Sequence, residues 1–317
     1  MPGMVGEVRR QLRNFDIIHL HCLRSFQNIV IHHYAKKYDI PYIVDTHGSL
    51  PREHGKRDFK WLLKGLFDVV WGYRILRGAD CVVAENEFGV SEYRRFKVNW
   101  NKIQTINPSF AVEEFSQLPS SGLFRQKHNL NDKKIIMFLG RINWIKGLDF
   151  LVESFAELVK ARNNTNLVIV GNDDGFKAIL DSLIAKLNLQ DKVLFTGFLS
   201  GSGKLSALVD ADVVVQTSRY EQGAWAPLEA VLCDTPIIVS RDTGAGMDVK
   251  RIGAGYLVEF GNKKEFSDTI QCIFDHPAEA KSKAFKAKEY IKAKLTMRKM
   301  IRKYEQLYAE FMRRHKR

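Results

Sequence analysis

The sequence predicts an α/β protein built from two doubly wound, parallel-sheet units, and three observations lead there. Apolar runs of four to six residues recur along the chain, separated by polar or Gly-containing stretches. Between them lie segments of helical periodicity, the alternation that βαβ units produce. At 317 residues, the chain has room for about two domains of roughly 150 residues each.

The first stretch opens with an amphipathic helix over 5–13 and a strand over Asp16-Ile17-Ile18-His19-Leu20. A helix over 25–38 follows, then a buried strand at 42–46 that stops at His47-Gly48. A mixed segment fills 51–78. Cys81-Val82-Val83-Ala84 reads as a third strand, 87–96 as a helix and 102–106 as a fourth strand. Residues 108–132 lose the rhythm and are rich in Pro, Ser and Gly, which predicts a linker.

The second stretch is more regular. Strands are predicted at 135–139, 167–170, 192–195, 212–216, 236–239 and 255–258, with helices at 148–162, 176–187, 204–209 and 226–233, and further helices from 263 onward. The resulting division is 1–118 for the first domain, 119–296 for the second, and 297–317 for a basic C-terminal helix returning to the first.

Composition narrows the function. Hydrophobic residues make up 45% and charged residues 27% of the chain, which excludes collagen-like, coiled-coil and disordered classes. The longest apolar stretch, 62–76, is interrupted by Lys64, Asp68 and Arg74, so no segment reads as a membrane span. No charged-then-apolar leader is visible, which predicts a cytoplasmic chain. Cys22, Cys81, Cys233 and Cys272 lack CxxC spacing and read as buried free thiols. The net charge of +13 is concentrated at one end: residues 281–317 carry 14 Lys/Arg against 3 Asp/Glu. No RNP-type motif, zinc finger or helix-turn-helix pattern accompanies this charge, so an anionic membrane surface is the expected partner and nucleic acid is not.

Two motifs carry chemistry. In Leu139-Gly140-Arg141-Ile142-Asn143-Trp144-Ile145-Lys146-Gly147, a strand ends, a loop bears two cations and a helix begins. Open α/β sheets bind ligands at the carboxyl ends of their strands, and helix N-termini favour anions, so Arg141 and Lys146 suit a diphosphate. In Glu221-Gln222-Gly223-Ala224-Trp225-Ala226-Pro227-Leu228-Glu229, two carboxylates stand eight positions apart around a helix start, and either can accept the hydroxyls of a vicinal diol. Asp210-Ala211-Asp212 spells a metal-binding DxD, but it lies where a helix runs into a strand. Asn172-Asp173-Asp174-Gly175 reads as a helix cap. His32-His33 points to two faces of one helix, and of His19 and His21 one is expected to be packed.

Together these elements resemble the retaining glycosyltransferases of family 4, the glycosyl transferases of group 1, which have the GT-B fold. The matches, in order, are Asp16-Ile17-Ile18-His19-Leu20-His21, Thr46-His47-Gly48, Gly140-Arg141 with Lys146-Gly147, and Glu221 with Glu229 followed by Ala230 and Thr235-Pro236-Ile237-Ile238. The resemblance covers about residues 15–275. It implies two Rossmann-like domains facing across a cleft. It also implies a UDP- or GDP-sugar donor as substrate, a glycan or lipid-linked acceptor, and neither cofactor nor metal. Arg141 and Lys146 would neutralise the leaving diphosphate, and Glu229 would accept ribose hydroxyls. Glu221, with amides near Gly223 and Ala224, would hold the donor sugar, while Gly140, Phe198 and Trp225 would line the donor site and His47 would position the sugar. Retention would follow a front-face route, in which the leaving phosphate helps accept the acceptor's proton.

The family's first domain usually begins with a strand and a Gly-rich loop. Here Met1-Pro2-Gly3-Met4 leads directly into the helix before Asp16, so the first domain is expected to be truncated. That gives an alternative expectation, a non-catalytic or partner-dependent nucleotide-sugar-binding subunit. Ala224 stands where the family usually has Gly, and Asp234 where Gly usually closes the helix. The segment 52–77 mixes Lys56, Arg57, Lys60 and Lys64 with Phe59, Trp61, Leu62, Leu63, Leu66 and Phe67, a composition suited to peripheral attachment on the inner face of a membrane.

Overall fold

The structure, a computed structural model, describes residues 2–51 and 59–315. The chain divides into two compact units, Met1–Pro108 with Arg298–Arg317, and Ser109–Met297.

The first unit holds a four-stranded parallel sheet, β1 (Ile18–His21), β2 (Tyr42–Asp45), β3 (Cys81–Ala84) and β4 (Ile103–Thr105), in the order β1-β2-β3-β4. Among the described residues this order runs one way without reversal. Every position of β2 and β3 is buried, as a parallel sheet covered on both faces requires. Alternate residues serve opposite faces. Tyr42, Val44, Val82 and Ala84 pack with Leu20, Ile75 and Tyr93. Ile43, Cys81 and Val83 pack with Ile106 and with Leu307 and Phe311 of the helix Met297–His315. The helix Phe26–Tyr38 begins where Ser25 Oγ accepts the Asn28 N–H at 3.2 Å. The mixed segment contains the helix Phe59–Phe67, which continues through a wide turn at Asp68–Gly72 into Tyr73–Gly78. Lys56 and Arg57 lie outside the described residues. Buried Asp68 anchors this segment by accepting two bonds from Arg24, at 2.9 and 2.8 Å.

The second unit holds six parallel strands: β5 (Lys134–Leu139), β6 (Thr165–Val170), β7 (Val193–Gly197), β8 (Val213–Gln216), β9 (Ile237–Ser240) and β10 (Tyr256–Val258). Their order is β10-β9-β8-β5-β6-β7, so strand order reverses between β5 and β8. Helices cover two apolar layers, one containing Leu228, Val231 and Ile291 and the other Leu151, Phe155 and Phe266.

Three expectations require correction. The predicted linker is part of the second unit: Phe110, Phe115, Phe124 and Leu130 are buried in its core, and the boundary falls after Pro108 rather than 118. Its spaced aromatics matter more than its Pro and Gly content. The helix Gly244–Ile252, absent from the sequence reading, starts at Thr243, whose Oγ1 accepts the Gly246 N–H at 3.0 Å. Of the four free cysteines, only Cys81 and Cys233 are buried, while Cys22 and Cys272 are exposed. Among the described residues, no helix is long and apolar enough to cross a membrane.

Candidate functional site

In the second unit, the order reversal leaves a crevice at the carboxyl ends of β5 and β8, where such sheets bind ligands. Two loops meet there. The loop after β5 passes Asn143, whose side chain accepts the Lys146 N–H at 3.3 Å and turns the chain through Trp144–Lys146. Gly147 ends the turn at φ 64°, and a Cβ there would come within 2.0 Å of the Thr217 carbonyl oxygen after β8. Only glycine lets the loops close so tightly. Arg219 then fastens them. Its N–H donates to the Ile145 carbonyl at 2.8 Å, and its guanidinium pairs with Asp149 at 2.9 and 2.5 Å and stacks on Trp144.

This closure brings Lys146 Nζ onto the Glu221 carboxylate, which also accepts from Gln216 Nε2 and Ser218 Oγ, each at 3.2 Å. Both charged side chains are largely buried. Glu221's own carbonyl accepts the Gly244 N–H at 2.8 Å, so the missed helix Gly244–Ile252 anchors this loop.

The carboxyl ends of the strands also hold an open cavity of about 430 Å³, lined by Gly140, Arg141, Gly171, Asn172, Phe198, Leu199, Lys204, Trp225 and Glu229 among others. Gly171 is required by packing, since a Cβ there would lie 1.9 Å from the Gly140 carbonyl oxygen. Glu229 Oε1 accepts from Lys204 Nζ at 2.9 Å, and Arg141 pairs with Asp174 at 2.6 Å. Phe198 is 68% exposed, and Trp225 packs on Phe110 with ring centroids 5.5 Å apart. The cavity therefore joins Gly140, Arg141, Phe198, Trp225 and Glu229. Lys146 and Glu221, paired with each other, do not line it. Gly223 and Ala224 are buried and do not line the cavity, and Ala224 belongs to the apolar core. The helix Trp225–Leu232 starts earlier than predicted and places Glu229 in its second turn.

His47 lies in the first unit, directly after β2, with φ 44°. Its backbone N–H donates to Asp45 Oδ1 at 3.1 Å, and its Nδ1 is 3.3 Å from the same atom and 3.5 Å from Glu85 Oε1. Its Nε2 is 2.8 Å from His21 Nδ1. The bond to Glu85, then the charges of Asp45 and Glu85, raise its pKa against the opposing effect of burial. Asp45, His47 and Glu85 bring candidate ligand atoms within 4.8 Å of one another. A protonated Nδ1 donates to Glu85.

The remaining motifs have structural work. Asp210 caps the helix Leu123–Lys127 by accepting the N–H groups of Gly122, Phe124 and Arg125 at 2.6, 2.8 and 3.1 Å. Asp212 takes Arg125, Lys134 and the Ile135 N–H. Both lie near a second cavity of about 430 Å³, at the amino ends of the strands and away from the crevice. Asp173 Oδ1 accepts three backbone N–H groups, from Gly175, Phe176 and Lys177, at the start of the helix Lys177–Lys186. His32 bonds the Tyr42 hydroxyl at 2.8 Å. Asp234 adopts φ 61° without glycine and pairs with Lys288.

Sequence reasoning missed Lys204, Arg219, Asp174, Asp45 and Glu85 as members of these clusters. Only Lys204 had a local signal, a cation directly after the Ser200-Gly201-Ser202-Gly203 segment that follows β7.

Comparison with known proteins gives a consistent result. The family model described as "Glycosyl transferases group 1" matches residues 121–292, and the one described as "Glycosyltransferase Family 4" matches residues 1–114. An uncharacterised glycosyltransferase of Methanocaldococcus jannaschii is 36% identical over 35% of this chain and 28% of its own length. An alpha-D-kanosaminyltransferase of Streptomyces kanamyceticus is 29% identical over 48% of this chain and 39% of its own. A D-inositol 3-phosphate glycosyltransferase of Kineococcus radiotolerans is 24% identical over 87% and 67%. The chain thus spans from about a quarter to two thirds of these relatives' lengths. Among solved structures, Anabaena Alr3699/HepE in complex with UDP superposes with TM-score 0.82 at 17% identity, covering 96% of this chain and 82% of that one. Sucrose-phosphate synthase from Thermosynechococcus elongatus gives 0.82 at 22%, covering 98% and 77%. These likenesses identify the fold as GT-B, with two Rossmann-like parallel-sheet units.

Proposed function

The chain belongs to the glycosyl transferases of group 1, and on that premise we propose that it moves a sugar from a UDP- or GDP-linked donor to a hydroxyl group. The acceptor is a glycan or a lipid-linked saccharide of surface polysaccharide or glycolipid biosynthesis, and the anomeric configuration is retained. One observation carries this reading. A cavity at the carboxyl ends of the strands joins a guanidinium, two exposed aromatics and a carboxylate.

In this assignment, Glu229 accepts the ribose hydroxyls with Lys204 alongside, and Phe198 borders the base. Arg141 exchanges Asp174 for phosphate, and Lys146 meets the diphosphate while keeping Glu221 in place against the donor sugar. Charge that gathers on the leaving group is then met by two cations, a contribution often worth 10²–10³ in rate per group. Backbone amides around Gly223 and Ala224 serve the sugar. Neither cofactor nor metal enters. The presence of UDP, and of UDP-glucose, in structures of the Anabaena relative supports a nucleotide-sugar donor.

A membrane setting for the acceptor is supported by the helix Phe59–Phe67, none of whose residues is buried. Phe59, Leu62 and Leu66 are 73%, 60% and 60% exposed beside Lys60 and Lys64. That pairing of apolar area with positive charge suits the surface of an anionic bilayer. Calorimetry with UDP and GDP, followed by product analysis with UDP- and GDP-sugars, tests the reading. Micromolar binding and a retained anomeric centre are expected. Absence of binding for both nucleotides, or an inverted product, would overturn it.

A further inference from the structure

The second cavity of the second unit, at the amino ends of β5, β8 and β9, takes no part in donor binding as proposed above. Its volume of about 430 Å³ is that of a small-molecule site. Part of its wall is apolar, with Leu118, Pro119, Ile273, Phe274 and Pro277. Most of the charges on the rest are already matched. Asp212 takes Arg125 at 2.7 Å and Lys134 at 3.0 Å, and Asp210 accepts backbone N–H groups. Burial pushes the Cys233 thiol up to about 12, which leaves it uncharged and inert at neutral pH.

Two groups are left over. Asp234 gives its Oδ2 to Lys288 Nζ at 2.7 Å, whereas its buried Oδ1 has no hydrogen-bond partner among the described residues. Lys281 lines the same cavity and pairs with no carboxylate among the described residues. Each has a definite complement. Lys281 lacks an anion, and one unmatched cation suits a monoanion better than a phosphate dianion. Asp234 already has its cation in Lys288, so Oδ1 lacks only a neutral donor, and a buried acceptor without one is costly. A ligand ammonium there would face Lys288, a like charge. The matching ligand therefore joins a carboxylate and a hydroxyl to an apolar body.

Two helices connect this cavity to the one at the carboxyl ends. The helix Gly201–Asp210 carries Lys204 there and ends here at Asp210. The helix Trp225–Leu232 carries Trp225 and Glu229 there and is followed here by Cys233 and Asp234. We propose that the cavity at the amino ends is an effector site for a small apolar hydroxycarboxylate, with the carboxylate on Lys281 and the hydroxyl donating to Asp234 Oδ1. A ligand held by Asp234 fixes the far end of the helix that carries Glu229. Less ordering then remains for the nucleotide to supply, and its affinity rises. The site stands apart from the transferase reading above, and its effect on the nucleotide rests on that reading.

Calorimetry on the whole chain without nucleotide reads the site, with 2-hydroxy-4-methylpentanoate as the probe. Its analogue without the hydroxyl, 4-methylpentanoate, should bind about fivefold more weakly. Its analogue without the carboxylate, 4-methylpentane-1,2-diol, should bind about tenfold more weakly. Lys281→Ala should erase the advantage of the hydroxy acid over the diol and leave UDP affinity unchanged when no acid is present. With the acid bound, UDP should bind about fivefold more tightly, and UDP should tighten the acid by the same factor. No binding of the hydroxy acid at millimolar concentration, equal binding of all three probes, or wild-type affinity in Lys281→Ala would overturn the site. Unchanged UDP affinity with the acid bound would overturn the effector role. A chain that binds the acid but neither UDP nor GDP would refute the transferase reading and, with it, that role.

Discussion

Lys146 and Glu221, 75 positions apart in sequence, form one ion pair where the loops after β5 and β8 meet. If Lys146 serves the leaving diphosphate, its charge matters more in the transition state than in the donor complex. Lys146→Met should lower kcat by about 10²–10³ while changing UDP affinity far less. It should also reduce stability by leaving Glu221 without its cation. Adding Glu221→Gln should recover the stability but not the rate. Steady-state kinetics with a nucleotide sugar and urea unfolding separate these effects, and an unchanged kcat would remove Lys146 from the chemistry.

Glu229 and Lys204 are 2.9 Å apart on the wall of the cavity. Glu229→Gln should weaken UDP and GDP binding by about tenfold, near 1.4 kcal/mol, because an amide replaces the acceptor of both ribose hydroxyls. Calorimetry measures this directly. Equal affinity in the variant would move the ribose elsewhere.

Asp210 separates two explanations of the DxD sequence. Its carboxylate is occupied by backbone N–H groups, so Asp210→Ala should cost about 1–3 kcal/mol of stability through loss of a cap and buried acceptors. Chelation of divalent cations should leave UDP binding and turnover unchanged. Activity lost to EDTA and restored by Mg²⁺ or Mn²⁺ would show that Arg141 and Lys146 do not suffice for the diphosphate.

His19 sets an acid limit on folding. Its pKa is lowered from 6.5 to about 4, so between these values the unfolded chain binds a proton that the folded chain excludes. Its contribution is full above pH 6.5 and falls as pH drops towards 4. His47 acts in the opposite sense: its raised pKa stabilises the fold below the ordinary histidine value and is lost as pH rises through the raised one. Urea midpoints for His19→Asn should depend less on pH between 4 and 6.5 than those of the wild type. An identical slope would assign the proton to another group.

The exposed helix Phe59–Phe67 should bring the chain down with phosphatidylglycerol vesicles at low salt. Replacing Phe59, Leu62 and Leu66 by Ser should abolish that sedimentation. Failure of the wild-type chain to sediment would remove the membrane from the proposal.

Local patterns were informative where one stretch of chain carries the whole signal. Leu139 through Gly147 showed a strand end, two cations and a glycine, and those nine residues occupy the crevice as an intact loop. Thr165–Val170 is buried at all six positions, and its last four, Leu167–Val170, were readable as an apolar run. The segment 108–132 was misread because Phe110, Phe115 and Phe124 are too widely spaced for either secondary-structure period, although each reaches the core. Gly244–Ile252 was missed because its glycines and charges mask the helix, which Thr243 and the Glu221 carbonyl hold in place.

From the sequence alone came the α/β alternation, the cationic loop, the spaced glutamates and the family they resemble, because each is written in consecutive or regularly spaced residues. Tertiary structure alone decided which groups meet. Strand-order reversal puts Lys146 on Glu221 and Glu229 beside Lys204, and the C-terminal helix brings Tyr304 to Asp45 behind His47. Such pairs depend on distances across the sheet, and no local period encodes them.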